Sequence, residues 1–139
     1  MSSRPPERIP MIRVAVGVDD DDRLSEEHFG DAKYYLIYEV EEDGSYRLVE
    51  KRVNTVREME EREHGDPRKF KAVVELLRDV DVFLAGRMGP NFLRVRESRH
   101  YPLVVGRKTV EEALSILVSR LDEVLEEVRR RKGLKRGMS

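Results

Sequence analysis

Short apolar runs alternate with heavily charged segments along the chain, and their periodicity changes near the middle. Ile12-Arg13-Val14-Ala15-Val16-Gly17-Val18 alternates loosely and is apolar on both faces, which predicts a central strand. Four carboxylates in a row, Asp19 to Asp22, repel one another and favour a turn. Leu24 to Asp31 reads as a loop with one helical turn at Ser25-Glu26-Glu27. Lys33 to Val40 predicts a second strand, with Tyr34, Leu36, Tyr38 and Val40 on one face and Tyr35 and Ile37 on the other. Asp43-Gly44 lies in a hairpin turn, and Tyr46 to Val53 returns antiparallel. Asn54 to Pro67 is charged and weakly patterned, which predicts an exposed loop with a frayed turn over Val56 to Arg62.

Beyond Pro67 the period becomes helical. Phe70, Val73, Val74 and Leu77 make the stripe of an amphipathic helix over Arg68 to Asp79. Asp81 to Ala85 is a short, buried-type strand; Gly86 to Pro90 breaks it, and Pro90 opens a short helix to about Ser98. Tyr101 to Val105 is a fifth strand. Thr109-Val110-Glu111-Glu112 has the spacing of a capping box, opening a helix to about Arg131. Val110, Ala113, Leu114, Leu117, Leu121, Val124, Leu125 and Val128 keep its apolar face, and Gly133 is its expected stop.

The order β-β-β-α-β-α-β-α predicts a three-layer α/β/α domain around a mixed five-stranded sheet: an antiparallel meander first, then parallel units with crossovers. The organisation expected is a disordered extension over residues 1–10, a single domain over 11–132 and a flexible basic tail over 133–139.

Composition narrows the function classes. The 139 residues carry 27 Lys and Arg against 28 Asp and Glu, a net charge of −1, so no basic excess marks a nucleic-acid binder. Cysteine is absent, which excludes disulfides and Cys-ligated zinc or iron–sulfur centres. Glutamine is absent and asparagine occurs only at Asn54 and Asn91, a thermophile-like composition. No run approaches the ~20 apolar residues of a membrane span, and residues 1–10 lack the apolar stretch of a signal peptide, so a cytoplasmic location is expected.

Candidate chemistry gathers in two loops. His28 follows the first strand, and Gly86-Arg87-Met88-Gly89 follows the fourth. Parallel neighbours would bring both loops to one carboxyl edge, where open α/β sheets hold ligands. The glycine turn running toward a helix would favour an anion, Arg87 would add charge, and Met88 would add a soft thioether. Each feature also has a plainer reading. A loop histidine often caps a backbone group, Gly86 and Gly89 can serve only a tight turn, Met88 can pack, and the Asp run can be a solvated turn without calcium-loop spacing. His64 and His100 form no ligand spacing with a second residue. Arg129 to Lys132 suits a helix end better than an RNA-binding tail. No nucleophile–histidine pair, P-loop or dinucleotide fingerprint is present.

Taken together, Ile12 to Val18, Glu27-His28-Phe29-Gly30-Asp31-Ala32, the Tyr-rich strand, Glu63-His64-Gly65, Asp81 to Pro90 and Thr109-Val110-Glu111-Glu112-Ala113 resemble the dinitrogenase iron–molybdenum cofactor biosynthesis family over about Ile12 to Leu121. The resemblance implies a ribonuclease-H-like fold of the nitrogenase accessory factor type. It also implies a non-enzymatic carrier that holds an iron–molybdenum cofactor, a precursor or another metal–sulfur cluster non-covalently. It points to His28 in the His28-Phe29-Gly30 motif and to Gly86, Met88 and Gly89 as cofactor-binding residues, which Arg87 joins through its charge; His28 is a candidate metal ligand and His64 a second. Arg87 departs from the glycine common in the family, and the loop around His64 is poorer in Gly and His. Cluster donor or acceptor proteins are the expected partners, not membrane or nucleic acid, with a monomer or homodimer both open. The alternative is a small-ligand or protein-interaction module whose cluster site has decayed; a ribonuclease-H-type nuclease, suggested by the acidic turn, is a third reading.

Overall fold

The structure, a computed structural model, describes residues 11–56, 67–89, 92–96 and 98–137. The expected extension over 1–10 and most of the loop before Pro67, His64 included, lie outside the described residues.

Five strands form one sheet in the order β3-β2-β1-β4-β5: β1 (Met11–Val18), β2 (Tyr34–Glu41), β3 (Tyr46–Val53), β4 (Val82–Ala85) and β5 (Tyr101–Val104). β1 is central. It pairs antiparallel with β2, from Met11 opposite Glu41 to Val18 opposite Tyr34, and parallel with β4 through Val14–Val82 to Val16–Leu84. β4 and β5 are also parallel. The mixed sheet anticipated from the pattern is therefore present, with β2 alone running against the others.

The period of two sends alternate side chains to opposite faces, and each face is covered. Val14, Val16, Val18, Leu36, Val40, Val82 and Leu84 pack on one side against the helices α3 (Val110–Ser119) and α4 (Leu121–Gly137). Ala15, Tyr35, Ile37, Phe83 and Ala85 pack on the other, where α1 (Pro67–Leu76) contributes Val73 and α2 (Phe92–Arg96) contributes Val95. Leu77 and Val80, just past α1, complete that layer. The three-layer α/β/α architecture follows from these two faces.

Three local differences from the sequence reading have physical causes. The long carboxyl-terminal helix is two: Arg120 (φ −116°, ψ 24°) ends α3, its N–H bonding to Leu117 and Val118, while its carbonyl accepts from Val124 to start α4. The apolar stripe crosses this break intact, from Leu117 to Leu121, so hydrophobicity carries no sign of it. Gly133 does not stop α4, which continues through residues 133–137, where a flexible tail was expected. A glycine inside a helix costs only about 1 kcal/mol relative to alanine, and this one has open space around it. The single helical turn before β2 falls at Phe29–Asp31 rather than at Ser25 to Glu27. No helix among the described residues is long and apolar enough to cross a membrane.

Candidate functional site

The parallel pairing of β1 with β4 and of β4 with β5 brings three loops to one edge: residues 19–33, 86–89 and 105–109. They are laced together by main chain. Ser25 N–H donates to Gly17 (2.9 Å), Leu24 N–H to Lys108 (3.1 Å), Val105 N–H to Ala85 (2.9 Å) and Phe29 N–H to Arg87 (3.0 Å). Backbone bonds of this kind hold loops in register independently of their side chains.

His28 and the glycine turn meet directly. A Cβ built on Gly89 would fall 2.5 Å from Nδ1 of His28 and 2.8 Å from its Cγ. Only a residue without a side chain lets the imidazole rest there. On its other side, Nε2 of His28 is 3.3 Å from an Arg87 guanidinium nitrogen, and Arg87 also donates to the carbonyl of Glu26 at 3.2 Å. A guanidinium only donates, so Nε2 accepts in this contact. Arg87 is exposed and His28 half-buried, so the pair lies at the surface.

Phe29 has a different place from that of a ligand-facing residue. It is 3% exposed, stacked on Phe83 at 4.8 Å between centroids and tilted against Tyr35 at 4.9 Å. Its ring anchors the His28 loop in the α1-side core. Beneath Gly17 the fit is close: a Cβ there would meet Phe29 and Ala32 at 3.2 Å. Met88 packs half-buried against the same core. A Cβ on Gly30 would meet Val73 at 3.8 Å, an ordinary contact, and Lys69 of α1, almost fully buried, pairs with Asp31.

The residue that organises this loop is one the pattern placed in an exposed segment. Asn54 is 4% exposed. Its amide donates to the carbonyls of Gly30 (2.9 Å) and Ala32 (2.8 Å) and to the Tyr35 hydroxyl (3.1 Å), while its oxygen accepts from Val56 N–H (3.0 Å). The Tyr35 hydroxyl donates to the Phe29 carbonyl at 2.7 Å, and burial pushes the Tyr35 phenol far above its ordinary range, so it stays a neutral donor. In a chain with two asparagines and no glutamine, the rarity of Asn54 was the one available signal.

The acidic run is consumed locally. Asp19 accepts from Lys33 N–H, Asp20 accepts from Asp22 and Arg23 N–H groups, and Asp21 pairs with Lys51. Those two backbone bonds hold the Asp20 carboxyl below its usual value. Among the described residues no group of three or more His, Cys, Asp or Glu is placed to hold a metal ion, and the run does not assemble a two-metal centre there. His100 lies at the far edge, buried and stacked on Phe83, its Nδ1 2.7 Å from the Val80 carbonyl. The glycine turn leads to α2, which has only five residues, and Pro90 and Asn91 between them lie outside the described residues. Any anion preference therefore rests on Arg87 and its neighbours, not on a helix end.

Beside Arg87 the three loops enclose a cavity of about 230 Å³. Arg23, Arg87, Arg107 and Lys108 line it against one carboxylate, Glu26. Only Arg87 among these cations was singled out from the sequence; Arg23 lies on one loop and Arg107 and Lys108 on another, and the two meet only when the sheet forms.

A family model described as dinitrogenase iron-molybdenum cofactor matches residues 10–120. No curated protein and no solved structure matches the chain.

Proposed function

Since the chain belongs to the dinitrogenase iron-molybdenum cofactor family, we propose that it is a non-enzymatic carrier of an anionic metal–sulfur cluster. The cluster is an iron–molybdenum cofactor or a precursor of one, and His28 is its single protein anchor. The observation that carries this reading is the seating of His28 against Gly89, with Arg87 at Nε2, at the edge where three parallel strands end.

The donor set suits cargo better than a resident centre. Among the described residues this edge offers one imidazole, in a chain without cysteine; that cannot enclose a bare metal ion, but it can take one open position on a preassembled cluster. Arg87 offsets the negative charge of such a cluster and needs only to turn aside from Nε2 to admit it. A single coordinate bond with surface electrostatics permits transfer, and the expected exchange partners are donor and acceptor proteins of the same assembly.

Metal and sulfide analysis of the protein purified anaerobically from its native host tests this reading. Iron and sulfide present in fixed ratio to protein, released when His28 is replaced by Ala, is the expected result. Protein that carries no metal and takes none up from a supplied cluster belongs instead to the decayed-module reading.

A further inference from the structure

The geometry points to the cavity beside Arg87 as a separate oxyanion subsite, formed by Arg23, Arg87, Arg107 and Lys108, that takes a carboxylate- or phosphate-bearing small anion. What the anion belongs to rests on the carrier reading: it would be a charged group on the flank of the cargo held at His28. The subsite itself does not rest on that reading.

Three observations support it. First, the cavity lies where backbone from three loops is pinned, so its cations are presented from a fixed frame. Arg23 forms a bridge with Thr109, and Leu24 N–H bonds to Lys108. Second, charge is lopsided. Arg23, Arg87, Arg107 and Lys108 line the cavity with one carboxylate, Glu26, and Asp20, which also feels Arg23, is held by the backbone N–H groups of Asp22 and Arg23. Glu112 lies near enough to Lys108 and Arg23 to feel them, but its carboxylate accepts the Thr109 N–H in the α3 capping box. Converging cations in a concavity concentrate potential, and guanidinium groups match planar or tetrahedral oxyanions through paired donors. Third, the glycines leave the space open. Gly106 has φ +84°, a conformation other residues rarely adopt, and nothing lies within 4 Å of where its Cβ would be. Gly86 is close under the carbonyls of Gly106 and Ser25, at 3.1 and 3.3 Å from a Cβ position, so a side chain there would push the loops apart.

Size selects the ligand class. At about 230 Å³ the cavity is below the ~300–1,000 Å³ of pockets that enclose drug-sized molecules, so it suits a small ion or one charged arm of something larger. Arg87 lines the cavity and also meets His28, which would let one cargo touch both.

The test is calorimetric titration of the full chain with inorganic phosphate and, separately, with citrate, at low and high salt. The proteins are the native chain, the Arg107→Ala/Lys108→Ala double variant, Arg107→Ala alone and His28→Ala. Arg107 is exposed, so its removal spares the core, and circular dichroism checks the fold. Saturable binding of either anion, weakened about tenfold or more in the double variant and retained in His28→Ala, is the expected result. Tighter citrate binding assigns a carboxylate ligand, and tighter phosphate binding a phosphoryl one. No saturable binding of either anion, or equal binding by the native and double-variant proteins, overturns the subsite. Cluster uptake is scored separately: anion binding without uptake removes the carrier reading and leaves the subsite, and uptake without anion binding does the reverse.

Discussion

The His28 imidazole occupies the space that a side chain on Gly89 would fill, with a Cβ position only 2.5 Å from Nδ1. Gly89 does not have a positive φ, so alanine fits its backbone. Gly89→Ala therefore separates the site from the fold. A compatible Gly→Ala change gains about 0.4–1 kcal/mol through the unfolded chain, which offsets the displacement of one half-buried ring. We expect a melting temperature close to native and cluster uptake lowered as far as in His28→Ala. Native uptake by Gly89→Ala would mean that the ring position is irrelevant to binding.

Arg87 contacts His28 at 3.3 Å and the Glu26 carbonyl at 3.2 Å. Arg87→Ala should weaken uptake of an anionic cluster by roughly tenfold, the worth of one charge-assisted contact, and Arg87→Lys should restore part of it. The loss should shrink at high salt, because the pair is exposed. Anaerobic uptake titrations at two ionic strengths measure this, and a native-like Arg87→Ala variant at low salt contradicts it.

Support for the His28 loop is predicted to be energetically large. Asn54→Ala leaves the Gly30 and Ala32 carbonyls and the Val56 N–H without their buried partner, at a cost of about 2–3 kcal/mol. Tyr35→Phe removes the bond to the Phe29 carbonyl and should cost about 1 kcal/mol. Chemical denaturation gives both values. The two residues share a hydrogen bond, so the double variant should cost less than the two single changes together.

An ion-pair network joining β1, β3 and the segment just past α1 contributes to the acid stability. Arg52 bonds to Asp79 and Glu50, and Arg13 also reaches Asp79. The Arg52 hydrogen bonds hold the Asp79 carboxyl below its ordinary value of 3.8, against the opposing effect of burial. A folded-state pKa below the unfolded one contributes stability that is complete above about pH 4 and is lost as pH falls through the lower folded value. Asp79→Asn should therefore be less stable than native at about pH 7, with the gap closing below about pH 4. Denaturation midpoints across that range provide the comparison.

Much of the architecture was legible because each strand announces its faces. Tyr35 and Ile37 go to one core, Leu36 and Val40 to the other, as their alternation requires. The Thr109–Glu112 box is formed with both its bonds, and the order of strands and helices placed His28 and Gly89 on the same sheet edge. Asn54 was misread because a buried polar residue in a charged segment looks like a loop until its acceptors are assembled around it. Arg120 was missed because the apolar stripe runs through the helix break, and Gly133 because propensity is a weak term beside a continuing helix. Arg23, Arg107 and Lys108 could not be grouped: two loops separated by more than 80 positions meet only through parallel pairing with β4.

Anaerobic titration of the apo-protein with isolated iron–molybdenum cofactor, followed by visible absorbance, decides whether His28 anchors a cluster. The native chain should saturate at about one cluster per chain, as a site with a single imidazole anchor implies, and His28→Ala should show no saturable uptake while keeping its fold. Identical saturation curves for the two proteins would mean that His28 is not the anchor.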